Sequence, residues 1–171
     1  MAEVIHIQSL ENPLVKHLTK LRTDARYRKE QNKVLLVGKT LLREYTAQNQ
    51  LSTLIIAEES NKIDMPAART VLVKMNILKK ITGLENPEGY AAEVELPKAS
   101  SLKECRSILA MDAVSDPGNM GTLFRSAMAF GWEGVFLLPG CCDPVLIYVM
   151  AGSWLMASVW TDLIMAMSST I

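Results

Sequence analysis

A βαβ pattern is present in residues 108–144, which read ILAMDAVSDPGNMGTLFRSAMAFGWEGVFLLPGCCDP. The segment opens on the apolar run Ile108–Met111, which is typical of a parallel strand. A tight polar loop at Asp116–Gly121 follows, then a helix, and then a second apolar strand at Val135–Leu138. In open α/β sheets ligands bind at the carboxyl ends of the strands, so this loop is the expected binding site.

The loop carries residues suited to a polar or anionic ligand. Gly118 and Gly121 permit a sharp turn and a close approach of the backbone. Asn119 either caps the helix or directs its amide at a substrate. Arg125 stands about one and a half turns into a helix whose N-terminus favours anions, where a guanidinium can clamp a phosphate. The same spacing is also typical of an ordinary capped helix with turn glycines and a surface arginine.

The helix after the loop is expected to run from about Asn119 to Phe130, with Gly131 as its C-cap. Helical periodicity divides its residues into two faces. The core face is predicted to hold Met120, Leu123, Ala127 and Phe130, and another face to hold Thr122, Arg125 and Ala129.

The composition of the 171-residue chain excludes several classes of protein. Hydrophobic residues make up 49% and charged residues 21%, which excludes a disordered or low-complexity protein. Eighteen basic and eighteen acidic residues cancel, so the chain is neither a wholly basic nucleic-acid coat protein nor an acidic tail protein.

The zero net charge conceals a basic stretch from Asn12 to Arg43, where nine Lys or Arg stand against the two acids Asp24 and Glu30. Such a stretch inside a neutral protein is a candidate phosphate-binding region. The alternative is a solvated helix face. The candidate phosphate contacts are Lys16, Lys20, Arg22, Arg26, Arg28 and Lys29.

The residues before position 97 predict a compact α/β unit. Asn12-Pro13 is a helix start, with Asn as N-cap and Pro at the first helical position. The helix is expected to bury one stripe, formed by Leu14, Leu18, Leu21 and Ala25. Strands are predicted at 34–37, 54–56, 71–73 and 90–96, with helices near 40–49 and 77–81. The linker Pro97–Ser101 separates a first domain, residues 1–97, from a second, residues 104–171.

Three further features bear on compartment and metal content. Cys105, Cys141 and Cys142 fit neither a disulfide framework nor a zinc pattern, and only His6 and His17 are available beside them, so no metal site is expected. The N-terminus has no secretory signal or transit peptide pattern, so an intracellular protein of the cytoplasm or an organelle is expected. Residues 144–161 carry no charge, and the length of this segment is at the threshold for a membrane span. A buried or exposed helix is nevertheless the favoured interpretation.

The segment 108–144 resembles the first motif of the SpoU-type RNA ribose methyltransferases, in the SPOUT superfamily. The family's Asp-Pro-Gly-Asn-hydrophobic-Gly loop is present at Asp116–Gly121, its arginine at Arg125 and its Phe-Gly helix end at Phe130-Gly131. Ser9–Lys16 is similar to the start of the family's substrate-binding domain, and the resemblance covers about residues 8–144. One departure is Val37-Gly38, where relatives usually carry Glu-Gly.

The resemblance implies an α/β fold in which a small substrate-binding domain precedes the first part of a parallel-sheet, knotted methyltransferase domain. It implies 2′-O-methylation of ribosomal or transfer RNA, not DNA, with S-adenosylmethionine as donor and a homodimeric assembly. Asn119 and Arg125 are the implied catalytic residues, with Arg125 positioning the ribose 2′-hydroxyl or helping to deprotonate it. Asp116, Pro117, Gly118 and Gly121 are the implied loop-forming residues.

The residues after 144 depart from the family. Relatives continue with a Gly-x-Glu-Gly loop and a Ser-Leu-Asn segment, which form the knot that binds S-adenosylmethionine. Neither motif appears in the apolar tail that begins at about residue 145. We therefore expect a chain truncated after the first motif, with the knot region missing, no assignable cofactor-binding residues and little activity. The alternatives are an RNA-binding module, an inactive isoform without cofactor binding, or a non-functional fragment.

Overall fold

The computed structural model describes residues 3–60, 63–96, 101–145 and 164–167. The chain divides into two compact units, which we call unit 1 (Met1–Leu96) and unit 2 (Pro97–Ile171). Both units combine helices with parallel strands, which confirms the predicted α/β class.

Unit 1 is a five-stranded mixed sheet with helices packed against it. Its elements in chain order are β1 (Glu3–Ile7), α1 (Pro13–Thr23), α2 (Ala25–Gln31), β2 (Lys33–Val37), α3 (Lys39–Thr46), β3 (Leu51–Ala57), β4 (Ala67–Val73), α4 (Met75–Thr82) and β5 (Tyr90–Glu95). The strand order is β1-β4-β3-β5-β2, in which β1, β4 and β3 run parallel and β5 is antiparallel to both of its neighbours.

The core of unit 1 lies between the sheet and its helices. Helix α1 packs on α4 and β2, and α4 also packs on β3 and β5. Leu18 and Leu21 of α1 and Ile77 and Ile81 of α4 are fully or almost fully buried. Because each such side chain contributes about 1.5–3 kcal/mol on burial, this packing fixes the relative position of the two helices.

Helix α1 begins as predicted, because Asn12 Oδ1 accepts from the Leu14 backbone N–H at 2.9 Å. The predicted apolar stripe is partly wrong: Leu14 is half-buried and Ala25 is exposed. The helix ends at Thr23, and Asp24 caps a separate helix α2 by accepting from the Tyr27 N–H at 3.0 Å. This change of direction explains why Ala25 is not part of the α1 stripe.

Strand β1 was not predicted. It is an edge strand whose register pairs Ile5 with Val71 and Ile7 with Val73 of β4. Val4 is 56% exposed while Ile7 is buried, so the strand has too few buried positions to give a strong local pattern. Because its parallel partner β4 is distant in sequence, no short turn joins the two strands, and the sequence between them does not indicate the pairing.

Unit 2 contains the predicted βαβ arrangement, with β6 (Ile108–Met111), α5 (Pro117–Ala129) and β7 (Gly134–Leu137). A further strand, β8 (Ile164–Met167), pairs parallel to β7, and the sheet order is β6-β7-β8. Thus part of the apolar tail forms a strand. Most of residues 144–161 lie outside the described residues, and within the described part no helix is long and apolar enough to cross a membrane.

The core face of α5 differs from the prediction. Met120, Phe124 and Ala127 are buried, whereas Leu123 is 38% and Phe130 80% exposed. The difference arises because α5 begins at Pro117 and ends at Ala129, so Phe130 lies beyond the helix. Phe130 is the C-cap, and Gly131 follows with a φ of 70°.

Candidate functional site

The N-terminus of α5 lies where β6 has ended, at the carboxyl edge of the parallel sheet of unit 2. Asp116 is the N-cap, since its Oδ1 accepts from the Asn119 backbone N–H at 2.7 Å. Pro117 occupies the first helical position, where a missing N–H costs nothing. The expectation that Asn119 caps the helix is therefore wrong, because the helix starts earlier than the sequence pattern indicated.

Gly118 and Gly121 do not form a sharp turn, in contrast to the prediction, because both lie inside α5. A Cβ atom at Gly118 would lie 3.2 Å from Asp116 Oδ1, so glycine leaves room for the capping carboxylate. Gly121 is buried together with Met120 and Phe124. The two glycines serve close packing at the start of the helix.

The two predicted catalytic residues lie on the first turns of α5. Asn119 is exposed in the first turn. Arg125 is half-buried, and its Nη2 donates to Thr122 Oγ1 at 2.8 Å, while the Thr122 hydroxyl donates to the Gly118 carbonyl oxygen at 3.0 Å. Thr122 therefore holds the guanidinium back toward the N-terminus of the helix. Sequence reasoning did not assign Thr122 a role, although the i, i+3 spacing to Arg125 carried the signal.

Cys141 and Cys142 contact neighbouring atoms of unit 2. Cys141 Sγ lies 3.2 Å from the Met111 carbonyl oxygen, and Cys142 Sγ lies 3.7 Å from Met120 Sδ. Burial, followed by the charges of Cys141 and Asp143, raises the pKa of Cys142. A protonated thiol is neither a nucleophile nor a metal ligand. Among the described residues no group of His, Cys, Asp and Glu is arranged to hold a metal ion.

Three backbone donors in the loop after β7 are not available to S-adenosylmethionine. At the carboxyl edge of the sheet, the N–H groups of Leu138 and Cys142 donate to the carbonyl oxygens of Met111 and Val114. The Cys141 N–H donates to the Leu138 carbonyl oxygen in the same loop. Because these backbone donors are already paired within the protein, the loop offers few groups to an adenosine or a carboxylate. We derive no step through a bound cofactor.

Four of the predicted RNA contacts are exposed in unit 1: Lys16 and Lys20 on α1, and Arg26 and Lys29 on α2. Lys16 Nζ lies 2.6 Å from Glu11 Oε2, and Lys20 Nζ lies 4.2 Å from the centroid of the Tyr27 ring. The hydrogen bond and charge of Lys16, and then the charge of Lys80, lower the pKa of Glu11.

Arg28 does not belong with these exposed residues, and the prediction of an RNA contact there is wrong. The residue is only 3% exposed. Its Nη1 donates to the carbonyl oxygens of Leu21 at 2.6 Å and Arg22 at 3.1 Å, which lie at the end of α1. A guanidinium engaged in this way stabilises the α1–α2 corner and is not accessible to a phosphate.

Arg22 has an intermediate position. It is half-buried, and its Nε donates to the Ile81 carbonyl oxygen at 3.1 Å in the last turn of α4. The guanidinium also lies against Gly83, the C-cap of α4. Arg22 thereby joins the ends of α1 and α4.

The N-terminus of α3 borders a cavity of about 390 Å³ lined by Lys39, Thr40, Glu59, Ser60, Glu88 and Tyr90. Gly38, the N-cap, supplies no side-chain hydrogen bond. Instead Glu88 Oε2 accepts from the Lys39 N–H at 2.9 Å. The Glu88 carboxylate therefore lies at the N-terminus of α3. At position 37, just before this helix, the chain has Val37 where SpoU-type proteins usually carry glutamate.

Comparison with known proteins places this geometry in context. Residues 12–92 match the MRM3-like substrate binding domain. An uncharacterised tRNA/rRNA methyltransferase of Synechocystis is 33% identical over 163 residues, which cover 89% of this chain and 59% of that protein. The 23S rRNA (guanosine(2553)-2′-O)-methyltransferase RlmP of Bacillus subtilis is 30% identical, over 80% of this chain and 56% of its own.

Over most of its length the chain is similar to RNA methyltransferases. The resemblance stated from the sequence is thus confirmed. The fold is also that of the AdoMet-bound rRNA methyltransferase from Sinorhizobium meliloti, with a TM-score of 0.74 and 24% identity over 96% of this chain and 66% of that one. The chain spans between half and two thirds of the length of the curated relatives described above.

Proposed function

We propose that this chain binds ribosomal or transfer RNA and presents the ribose acceptor for 2′-O-methylation. Unit 1 is the RNA-binding domain in this proposal, and the first turns of α5 are the acceptor side. S-adenosylmethionine is the proposed donor, because the relatives are methyltransferases and one of similar fold binds it. The proposal includes an intracellular site of action and the homodimer that the resemblance implies.

The observation that carries the proposal is the fixed position of Arg125. Its guanidinium donates to Thr122 on α5, the helix that follows the carboxyl end of the parallel strand β6. This is the edge at which α/β sheets bind ligands. Asn119 is exposed on the first turn of the same helix, within reach of a nucleotide bound there.

Arg125 acts by positioning in this proposal. A guanidinium stays protonated in proteins and does not serve as a general base at neutral pH. It can instead hold a phosphate next to the reacting ribose through two parallel hydrogen bonds. Bringing donor and acceptor into line is worth up to about 7–11 kcal/mol of the barrier. Attraction to a phosphate alone is equal before and during reaction and adds little to turnover.

A second candidate function is an RNA-binding module that transfers no methyl group. It is favoured by the loop after β7, whose backbone donors are used within the protein. The two functions differ in one measurable property, the saturable binding of S-adenosylmethionine. An active enzyme requires such binding, and a module does not.

The test is a methylation assay on the 171-residue chain with tritiated S-adenosylmethionine and total ribosomal and transfer RNA, beside Arg125→Ala. Equilibrium binding of labelled donor and of single-stranded RNA is measured on the same preparations. We expect RNA binding, tighter than binding to DNA of the same sequence because only RNA carries the 2′-hydroxyl. We expect little or no incorporation from this chain alone, because its described residues supply the acceptor side, and the absence of saturable donor binding beside RNA binding would favour the module.

Two outcomes would contradict these expectations differently. Incorporation that disappears in Arg125→Ala would show that the chain has a complete donor site, which overturns the expected inactivity and establishes the enzyme. A chain that binds RNA no better than DNA of the same sequence would overturn the proposed role of both units.

A further inference from the structure

Two basic helix ends meet on the surface of unit 1. Helix α1 packs against α4, and the hydrogen bond from Arg22 Nε to the Ile81 carbonyl oxygen, at 3.1 Å, joins their last turns. The last turn of α1 contains Lys20 and Arg22, and that of α4 contains Lys79 and Lys80. The fold therefore brings together basic residues that lie some sixty positions apart in the sequence.

The positive charge of this surface outweighs its acidic neighbours. Lys16, Lys20, Lys79 and Lys80 are exposed. Glu11 is already paired with Lys16 at 2.6 Å, and it also lies near enough to Lys80 for that charge to contribute to lowering its pKa. Glu85 is a second acidic neighbour. With Arg22, five cations face two carboxylates, so an unneutralised positive surface remains.

A shallow, open depression of about 600 Å³ adjoins this surface. Lys79 and Lys80 line it together with Gly83, Leu84, Glu85 and Asn86. The guanidinium of Arg22 lies against Gly83 at its edge. A positively charged surface of this kind can track the backbone of a single-stranded RNA.

We propose that RNA phosphates bind to this surface, which we name the α1–α4 patch and define as Lys16, Lys20, Arg22, Lys79 and Lys80. The inference rests on the proposed RNA-binding function and locates the contacts on unit 1. Compared with the contacts predicted from the sequence, the proposed surface includes Lys79 and Lys80, which lie outside the basic stretch Asn12–Arg43. It does not include helix α2. The helix dipole favours cations in each last turn separately, but it does not require that two such turns share one surface.

The experiment compares two double variants that each remove two exposed positive charges. Lys79→Gln/Lys80→Gln changes the α1–α4 patch, and Arg26→Gln/Lys29→Gln changes α2, whose arginine is paired with Glu30. Binding of a labelled single-stranded RNA oligonucleotide is measured at several salt concentrations. Thermal unfolding by circular dichroism checks that both variants fold like the natural chain.

We expect Lys79→Gln/Lys80→Gln to make the negative slope of log affinity against log salt shallower by about 1.4, twice the value of about 0.7 per contact on single strands. The affinity should fall about tenfold at physiological salt, and the α2 variant should change much less. Equal losses in the two variants, or no loss in Lys79→Gln/Lys80→Gln, would overturn the patch while the proposed RNA binding stands. A natural chain that binds no RNA would overturn both.

Discussion

The two units fix the ends of their helices in different ways. In unit 1 the partners come from distant parts of the chain: Arg22 bonds to the Ile81 carbonyl oxygen and Glu88 to the Lys39 N–H, 59 and 49 residues away. In unit 2 the start of α5 is capped by Asp116, three residues from the N–H it binds, and a side chain at Gly131 would meet nothing within 4 Å. Unit 1 therefore combines local caps, Asn12 at α1 and Asp24 at α2, with two helix ends that distant parts of the chain hold, whereas the start of α5 is held locally.

The strongest test of this comparison is Arg28→Ala, which we expect to destabilise unit 1 by about 3 kcal/mol. The substitution leaves the carbonyl oxygens of Leu21 and Arg22 buried without their charged donor, and hydrogen bonds to charged groups are worth about 1.5–3 kcal/mol each. Hydrogen exchange of α1 and α2 peptides measures the loss in unit 1 separately from unit 2.

The matched control is Arg26→Ala on the same helix. The Arg26 side chain is 89% exposed and pairs with Glu30, so a change within about 0.5 kcal/mol is expected. Equal effects of the two substitutions would show that the α1–α2 corner does not depend on Arg28. For the same reason Arg28 must be left intact in RNA-binding variants, since its loss would change folding and binding together.

The second test uses two glycines at helix ends with nearly the same backbone conformation. Gly83 after α4 has a φ of 71°, and Gly131 after α5 has a φ of 70°. Alanine at either position costs about 1 kcal/mol for the left-handed conformation. A Cβ at Gly83 would also lie 2.6 Å from Arg22 Nη1 and must displace the guanidinium from the Ile81 carbonyl oxygen. We expect Gly83→Ala to lower the free energy of unfolding of unit 1 by about 2 kcal/mol. Hydrogen exchange of α4 and α5 measures the effects of the two glycine substitutions.

A double-mutant cycle sharpens this test. In an Arg22→Ala background the obstacle at Gly83 is gone, so Gly83→Ala should cost no more than Gly131→Ala. A full cost at Gly83 in that background would show that strain within the backbone, and not the tie between α1 and α4, determines the difference.

The same contrast explains which elements the sequence predicted. The start of α1 and the strands β2 and β3 follow from local signals, namely Asn12-Pro13 and short apolar runs. The break at Asp24 was missed because one residue ends α1 and caps α2. Strands β1 and β8 were missed because their parallel partners, β4 and β7, are distant in sequence. The periodicity of apolar residues is a local signal and does not indicate which distant strands pair.

The candidate site was predictable to a similar extent. The motif around Asn119 and Arg125 was found because it is contiguous, and their catalytic roles remain predictions. The burial of Arg28 and the approach of Lys79 and Lys80 to α1 were not visible, since both depend on how α1 packs against α2 and α4. A run of basic residues does not reveal which of them reach solvent.

The smallest expected effect comes from the two carboxylates that accept from N-terminal N–H groups of helices, Glu88 at α3 and Asp116 at α5. Alanine at either position removes one acceptor for an N-terminal N–H, at a cost of about 1 kcal/mol. In Glu88→Ala the exchange of α3 amides should accelerate together with that of β5, because the cap ties α3 to the chain just before that strand. In Asp116→Ala only the first turn of α5 should change. Asp116→Asn keeps an acceptor oxygen and should restore that turn. If Glu88→Ala affected α3 alone, its cap would be as local in effect as that of α5, and the difference between the units would reduce to the arginine contacts.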